Sequence, residues 1–335
     1  MALSLIVNAG LAAIPIGGCL GTLFGIDAHR AANGQRPLFA PDPNENKGTD
    51  AGGGGQDSTG GGSGGNGSTT NNGITNTQYC QHSYGISPPR KGDGETFTLN
   101  PNQWGLTDGT TGGLCMNVTT YNNMTYPTEY TAPDFSVTWK FNRGPDTQPV
   151  RAFPNIMVEE VLPVELDKIQ ELFLNLHWSY GLGNEIAEST SESDMTSNEV
   201  RTNVAIDMFF DSDKETAQNS TAAQFEVMVW FATFGVGTDP YGTKTSTTRT
   251  LNGTEFNLYS GTRDSQTILT WAAADITEEF RGDIYPLITD LYKLDGGLYP
   301  ASSDYLGYFG FGTEAFSSDK EITFGVTDLE VNIKT

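Results

Sequence analysis

Apolar and polar residues alternate with a period of two over several stretches, which predicts half-buried β-strands. Phe135, Val137, Trp139 and Phe141 share one face of such a strand. Leu172, Leu174, Leu176, Trp178 and Tyr180 share a face of a second. Val204, Ile206, Met208 and Phe210 define a third, and Phe225, Val227, Val229 and Phe231 a fourth. Clusters of Gly, Asn, Asp, Ser and Thr separate the runs, as turns do. Strands with one apolar face each predict an all-β fold, a two-sheet antiparallel β-sandwich. One segment breaks the period. Ile284, Leu287, Ile288 and Leu291 recur at helical spacing, Pro286 suits a first turn, and Gly296-Gly297 lies just past the end. A single short helix is predicted there.

The opposite faces of these strands carry different chemistry. Alternation groups Glu226, Met228 and Trp230 away from the aliphatic set, and likewise Arg201, Asn203, Ala205 and Asp207. Near the C-terminus Leu306, Tyr308, Gly310, Gly312 and Glu314 alternate with Tyr305, Gly307, Phe309 and Phe311. One sheet surface thus collects carboxylates, aromatic rings and amides, a set suited to carbohydrate. Rings stack on the apolar faces of sugars, and Asn and Asp bond their hydroxyls. A strand glutamate on the non-core face is ordinarily just solvated. Met228 and Trp230 beside Glu226 weigh against that, because large apolar side chains seldom line a purely solvated face. Trp104, in Asn102-Gln-Trp-Gly, is equally readable as core. Periodicity alone reaches a sugar-binding β-sandwich and no further.

The N-terminal region has another character. Residues 3–26 contain no charged side chain and are long enough to span a bilayer, although Gly-rich and interrupted by Pro15. No Lys or Arg precedes them, unlike an ordinary signal peptide. Three readings stay open: an atypical signal peptide, an uncleaved membrane anchor, and a wrongly assigned start. Residues 51–73 hold 11 glycines in 23 positions and read as flexible linker. The expected organisation is therefore a hydrophobic segment over 1–26, a disordered linker over 27–77 and one folded domain over 78–335.

Composition narrows the function. Of 335 residues, 18 are Lys or Arg and 41 are Asp or Glu, a formal net charge of −23. Such a charge repels polyanions and excludes non-specific nucleic-acid binding. Three histidines, with no ligand-spaced motif around them, leave little for a metal site, and none is expected. Five Asn-X-Ser/Thr sequons, at Asn66, Asn117, Asn123, Asn219 and Asn252, suit a secreted chain in combination with the acidic balance.

At this point specific motifs enter. Residues 79–335 resemble glycoside hydrolase family 12, the small endoglucanases and xyloglucanases. The resemblance is carried by Cys80 and Cys115 with Asn102-Gln-Trp104-Gly between them, by Arg201-Thr-Asn-Val-Ala-Ile-Asp207 and by Phe225-Glu226-Val-Met-Val-Trp230. Asn257-Leu-Tyr-Ser-Gly, Arg281-Gly-Asp-Ile and Phe311-Gly-Thr-Glu314-Ala-Phe follow in order. It implies a concanavalin-like jelly roll whose concave sheet forms the cleft. It implies Glu226 as nucleophile, Glu314 as general acid/base, and Asp207 hydrogen-bonded to Glu226. It places Asn102, Trp104, Asn203, Met228 and Trp230 along the sugar cleft and pairs Cys80 with Cys115 as a disulfide. It implies a monomeric retaining endo-β-1,4-glucanase that needs no cofactor and whose partner is a β-1,4-glucan, with cellulose and xyloglucan not separable. Three departures stand out: Ala315 occupies a position where the family commonly has Pro, Phe316-Ser-Ser lacks the usual following Gly, and the acidic Ser/Thr-rich stretch around Glu185–Glu199 is long. The competing reading is an inactive sandwich that binds carbohydrate or is recognised by a partner.

Overall fold

Strands with one apolar face must bury it, and here they do so in two layers. The computed structural model of the chain describes residues 67–294 and 296–335. A seven-stranded sheet runs in the order β1 (Gly67–Asn71), β2 (Ile74–Tyr79), β4 (Gly112–Tyr121), β5 (Phe135–Phe141), β17 (Ile322–Lys334), β8 (Glu171–Leu182), β14 (Glu279–Asp283). A ten-stranded sheet contains β11 (Thr243–Leu251), β12 (Thr254–Arg263), β13 (Gln266–Ala273), β10 (Phe225–Phe234), β9 (Arg201–Asp211), β15 (Tyr305–Gly312), β6 (Asn155–Val158) and β3 (Phe97–Asn100), in that order. The short strands β7 (Val164–Glu165) and β16 (Ala315–Ser317) pair with β15 and β9.

All four predicted alternating sets are buried, and they merge into one core between the sheets. The sandwich is antiparallel except for one pair: β10 and β13 run parallel, with β11 and β12 supplying the crossover between them. The predicted helix is present as α2 (Tyr285–Leu291) with Pro286 in its first turn, and the indole N–H of Trp271 donates to the Leu287 carbonyl at 3.0 Å. A second helix, α1 (Glu192–Ser197), lies in the long acidic stretch. The Ser191 side chain caps it by accepting from the Asp194 N–H. That stretch packs on the outer face of the seven-stranded sheet, with Ile186 over Gly325 and the Ser179 hydroxyl donating to the Ala187 carbonyl at 2.7 Å.

The expected domain boundary near Gln78 is too late. β1 and β2 form a hairpin on the edge of the seven-stranded sheet, and β2 pairs with β4 from Ile74 to Tyr79. The turn is Asn72-Gly73, both with positive φ (48° and 79°), the geometry a two-residue hairpin loop requires. Its strands are almost wholly polar and exposed, so no apolar alternation separates them from linker. The hydrophobic segment over 1–26 and the rest of the expected linker lie outside the described residues. Among the described residues no helix is long and apolar enough to cross a membrane. The disulfide between Cys80 and Cys115 is present, tying the chain just after β2 to β4.

Candidate active site

Strand register decides which side chains meet on the face of the ten-stranded sheet turned away from the core. Partners across a ladder share a face, so three rows cross β10, β9 and β15. Glu226 lies in a row with Phe209 and Tyr308. Met228 lies in a row with Asp207 and Gly310, and Trp230 in a row with Ala205 and Gly312. Asp207 and Glu226 are therefore diagonal neighbours on adjacent strands. Beyond a β-bulge after Trp230, Thr233 pairs with Asn203. Asn203 and Glu314 meet directly. Its amide N–H donates to the Glu314 carboxylate, and its side-chain carbonyl accepts the Glu314 backbone N–H at 3.0 Å.

The core side of the same segment is equally tied. Thr202 donates to the Glu314 carbonyl at 2.7 Å, and Thr313 donates to the Asn203 carbonyl. The hydroxyl of the fully buried Tyr180 bonds both threonines, at 2.9 and 2.5 Å. Ala315 donates its N–H to the Ala152 carbonyl at 2.9 Å, a bond that proline cannot make. This gives the departure at position 315 a local structural role. Arg151 in turn accepts the Gly105 N–H, and Phe153 donates to the Asn102 carbonyl. The Asn102–Trp104 segment is thereby linked through residues 151–153 to the strand that follows Glu314.

Three carboxyl groups occupy this face almost without solvent: Asp207 is 0%, Glu226 3% and Glu314 2% exposed. Burial pushes Glu226 up to about 7, opposed by the guanidinium of Arg263, whose Nη2 stands 3.3 Å from Oε2. Burial and the charge of Glu226 push Glu314 up to about 8 against the hydrogen bond from Asn203. Asp207 is raised well above the aspartate range by burial and by both glutamates. The expected hydrogen bond between Asp207 and Glu226 is not formed. Two carboxylates repel unless one carries a proton, and among the described residues no side chain donates to either Asp207 oxygen.

The sequence-predicted residues Asp207, Glu226, Met228, Trp230, Asn203 and Glu314 converge on one face. Met228 and Trp230 pack there with Ala205 and Ile268, apart from the main core, and the Trp230 indole N–H points at the Met228 sulfur at 3.3 Å. Asn102 is buried with neither side-chain polar atom bonded, and the Trp104 indole N–H is likewise unpartnered. Arg201 is anchored away from the carboxyls, donating to the Val236 carbonyl at 2.8 Å and lying over the Phe316 ring.

Three further residues, Arg263, Tyr241 and Asn155, escaped the sequence reading, and Tyr308, which alternation groups with Glu314, joins them on this face. Arg263 ends β12, and continuing the alternation of Asn257, Tyr259 and Gly261 by one step places it on this face. Tyr241 packs flat on Gly261, where a Cβ would stand 2.7 Å from the ring, and carries the Arg263 guanidinium at 5.6 Å from its centroid. Asn155, in register with Gly312, keeps a buried and unpartnered side-chain oxygen. The Tyr308 hydroxyl is also buried and unpartnered; it lies over Gly310, where a Cβ would stand 2.4 Å from it. Among the described residues no group of His, Cys, Asp or Glu is arranged to hold a metal ion.

A jelly-roll sandwich bearing paired carboxyls in unlike environments on one sheet face has the form of a glycoside hydrolase. Residues 95–334 match the family model described as glycosyl hydrolase family 12, and the chain belongs to that family. It is 28% identical over 241 residues to xyloglucan-specific endo-beta-1,4-glucanase A of Aspergillus aculeatus, covering 71% of this chain and 86% of that protein. It is 26% identical over 241 residues to the protein of the same name from Aspergillus niger, with the same coverage. The fold is similar to Trichoderma harzianum endoglucanase 3, at a TM-score of 0.59 and 22% identity over 77% of this chain and 97% of that one. The catalytic domain of Humicola grisea Cel12A is alike at 0.59 and 21% identity, over 76% and 98%.

Proposed function

We propose that this glycoside hydrolase is a retaining endo-β-1,4-glucanase, monomeric and extracellular, that cleaves the β-1,4-glucan backbone of xyloglucan in preference to unbranched cellulose. The observation that carries the reading is the unlike treatment of two buried glutamates on one face, one beside a cation and one held by a neutral amide. Unlike environments separate a carboxylate that attacks from a carboxylic acid that donates. Glu226, beside Arg263, attacks C1 as the bond from C1 to the leaving sugar oxygen breaks, and Glu314 gives its proton to that oxygen. Water then attacks C1, Glu314 takes its proton, and the electron pair of the C1–Glu226 bond returns to the carboxylate. Asn102, Trp104, Asn155, Met228 and Trp230 offer rings and unpartnered amides to the sugars. The xyloglucan preference is drawn from the names of the Aspergillus relatives, and the extracellular setting from the disulfide.

Product stereochemistry tests the roles. In Glu226→Ala, azide replaces the nucleophile and an activated β-glycoside gives the α-glycosyl azide. In Glu314→Ala, azide attacks the covalent intermediate and gives the β-glycosyl azide. The reverse pattern, read by proton NMR, exchanges the two assignments. Reducing-sugar release from xyloglucan and carboxymethyl-cellulose tests the substrate. Inactivity on both, and on mixed-linkage glucan, overturns the reading in favour of a binding protein.

A further inference from the structure

The three buried carboxyls of the site are matched by one cation. Among the described residues Arg263 touches Glu226 and no other carboxylate. It is only 15% exposed in its side chain against 3% for Glu226, so the contact is shielded from the screening that weakens surface pairs. It is also held in place. The guanidinium lies over the Tyr241 ring, and the Tyr241 hydroxyl donates to the Thr262 carbonyl at 3.1 Å, the residue just before Arg263. Gly261 leaves room for that ring. The two other carboxyls get no comparable partner: Glu314 is met by the neutral amide of Asn203, and Asp207 by no side-chain donor.

We propose that Arg263 is a positioning residue that keeps Glu226 ionised, and so selects which of three crowded carboxyls serves as the nucleophile. The proposal rests on the reading of Glu226 as nucleophile. The charged groups acting on Glu226 are Asp207 from β9, Glu314 from the segment after β15, and Arg263 from the end of β12, which Tyr241 supports from the loop before β11. Tyr308 of β15 stands in the same row with Phe209 between them. β13 contributes only the uncharged Ile268 and Thr270 here. Every charge other than Arg263 in this set disfavours an ionised Glu226. Arg263 also senses the course of the reaction. Its partner is an anion in the free enzyme, a neutral ester once bonded to C1, and an anion again when water releases the sugar.

An opposite charge at this range lowers a carboxyl pKa by about 1–3 units. Arg263→Gln should move the acidic limb of the kcat/KM profile up by about that much, with a smaller upward move of the basic limb because the same cation also lowers Glu314. Arg263→Lys should move it less. The Glu226 carboxyl should be followed in parallel by 13C NMR of glutamate-labelled protein, with Glu226→Gln assigning the resonance. This titration needs no substrate, so it stands even if the enzyme proves inactive on glucans. A Glu226 resonance titrating at the same pH in Arg263→Gln as in the parent, with near-UV circular dichroism unchanged, overturns the proposal. If the Gln variant fails to fold, Arg263→Met, which keeps the stem that stacks on Tyr241, replaces it with the same expected and refuting results.

Discussion

Asn203→Ala isolates the part of the site that holds the acid. The side chain is fully buried and makes two bonds to one residue, donating to the Glu314 carboxylate and accepting its N–H. Truncation leaves a buried N–H without its acceptor, which costs about 1–3 kcal/mol. For a domain of this size each kcal/mol lowers the melting temperature by about 2–4 °C. The second loss acts on ionisation. The amide bond favours the charged form of Glu314, and bonds to charged groups contribute about 1.5–3 kcal/mol, or about 1–2 pKa units at 1.36 kcal/mol each. Removing it raises the Glu314 pKa further above the value of about 8 that burial sets. The acid must be protonated to act, so the basic limb of kcat/KM should move to higher pH by about 1–2 units while the maximum falls. Initial rates on xyloglucan across pH 5–10, with calorimetry in parallel, provide both readouts. A basic limb that stays in place, or moves down, refutes the assignment of Asn203 as the group that tunes Glu314.

Three other outcomes follow from the same structure. Glu314 has a folded pKa raised above its unfolded value, so its contribution to stability is full below about 4.5 and is lost as pH rises toward 8. Over that range the parent should lose stability faster than Glu314→Gln, by about 1.4 kcal/mol per pH unit, measured as melting temperature against pH. Opening the Cys80–Cys115 bridge by Cys→Ser at both positions should cost about 3–4 kcal/mol by the chain-entropy model for a separation of 35 residues, and adding reductant to the parent should reproduce the loss in thermal melts. A chain begun at Thr77 instead of Gly67 loses most of the β1–β2 hairpin. Its kcat/KM should match that of the longer chain, since the carboxyls lie in the other sheet, while stability falls by about 1–3 kcal/mol from the loss of the three cross-strand pairs that Ile74, Thr75 and Asn76 make with β4.

The core was legible because its signal is periodic. Phe225, Val227, Val229 and Phe231 can be assigned to one side of a strand without knowing the neighbours, and the same parity puts Glu226 on the other side. The family motifs then carried the roles of Glu226 and Glu314. What stayed hidden depends on pairing between distant segments. Arg263 reaches Glu226 only because β13 runs parallel to β10 and Gly261 admits Tyr241; neither fact is local in sequence. The Ala315–Ala152 bond and the amide clamp of Asn203 on Glu314 span the sheet in the same way. The β1–β2 hairpin was hidden for the opposite reason. Its Asn72-Gly73 turn is a strong local signal, but the flanking Ser, Thr and Asn residues bury nothing and merge with the glycine-rich composition before them.

The closeness of Tyr308 to Gly310 has a consequence for how this sequence can change. A methyl group at 310 would collide with the Tyr308 hydroxyl at 2.4 Å and with the ring carbon bearing it at 2.9 Å. The ring is buried against Phe209 and Met157 and has little room to retreat. Deleting the hydroxyl alone leaves the second clash, so Tyr308→Phe does not free position 310. A smaller residue at 308 does. The two positions are thus epistatic: Gly310→Ala is harmful in the present background and tolerated only after 308 has shrunk. Mutational paths that widen this part of the sheet face must pass through 308 first, and a site-saturation library at 310 alone will report glycine as obligatory when it is conditional on its neighbour.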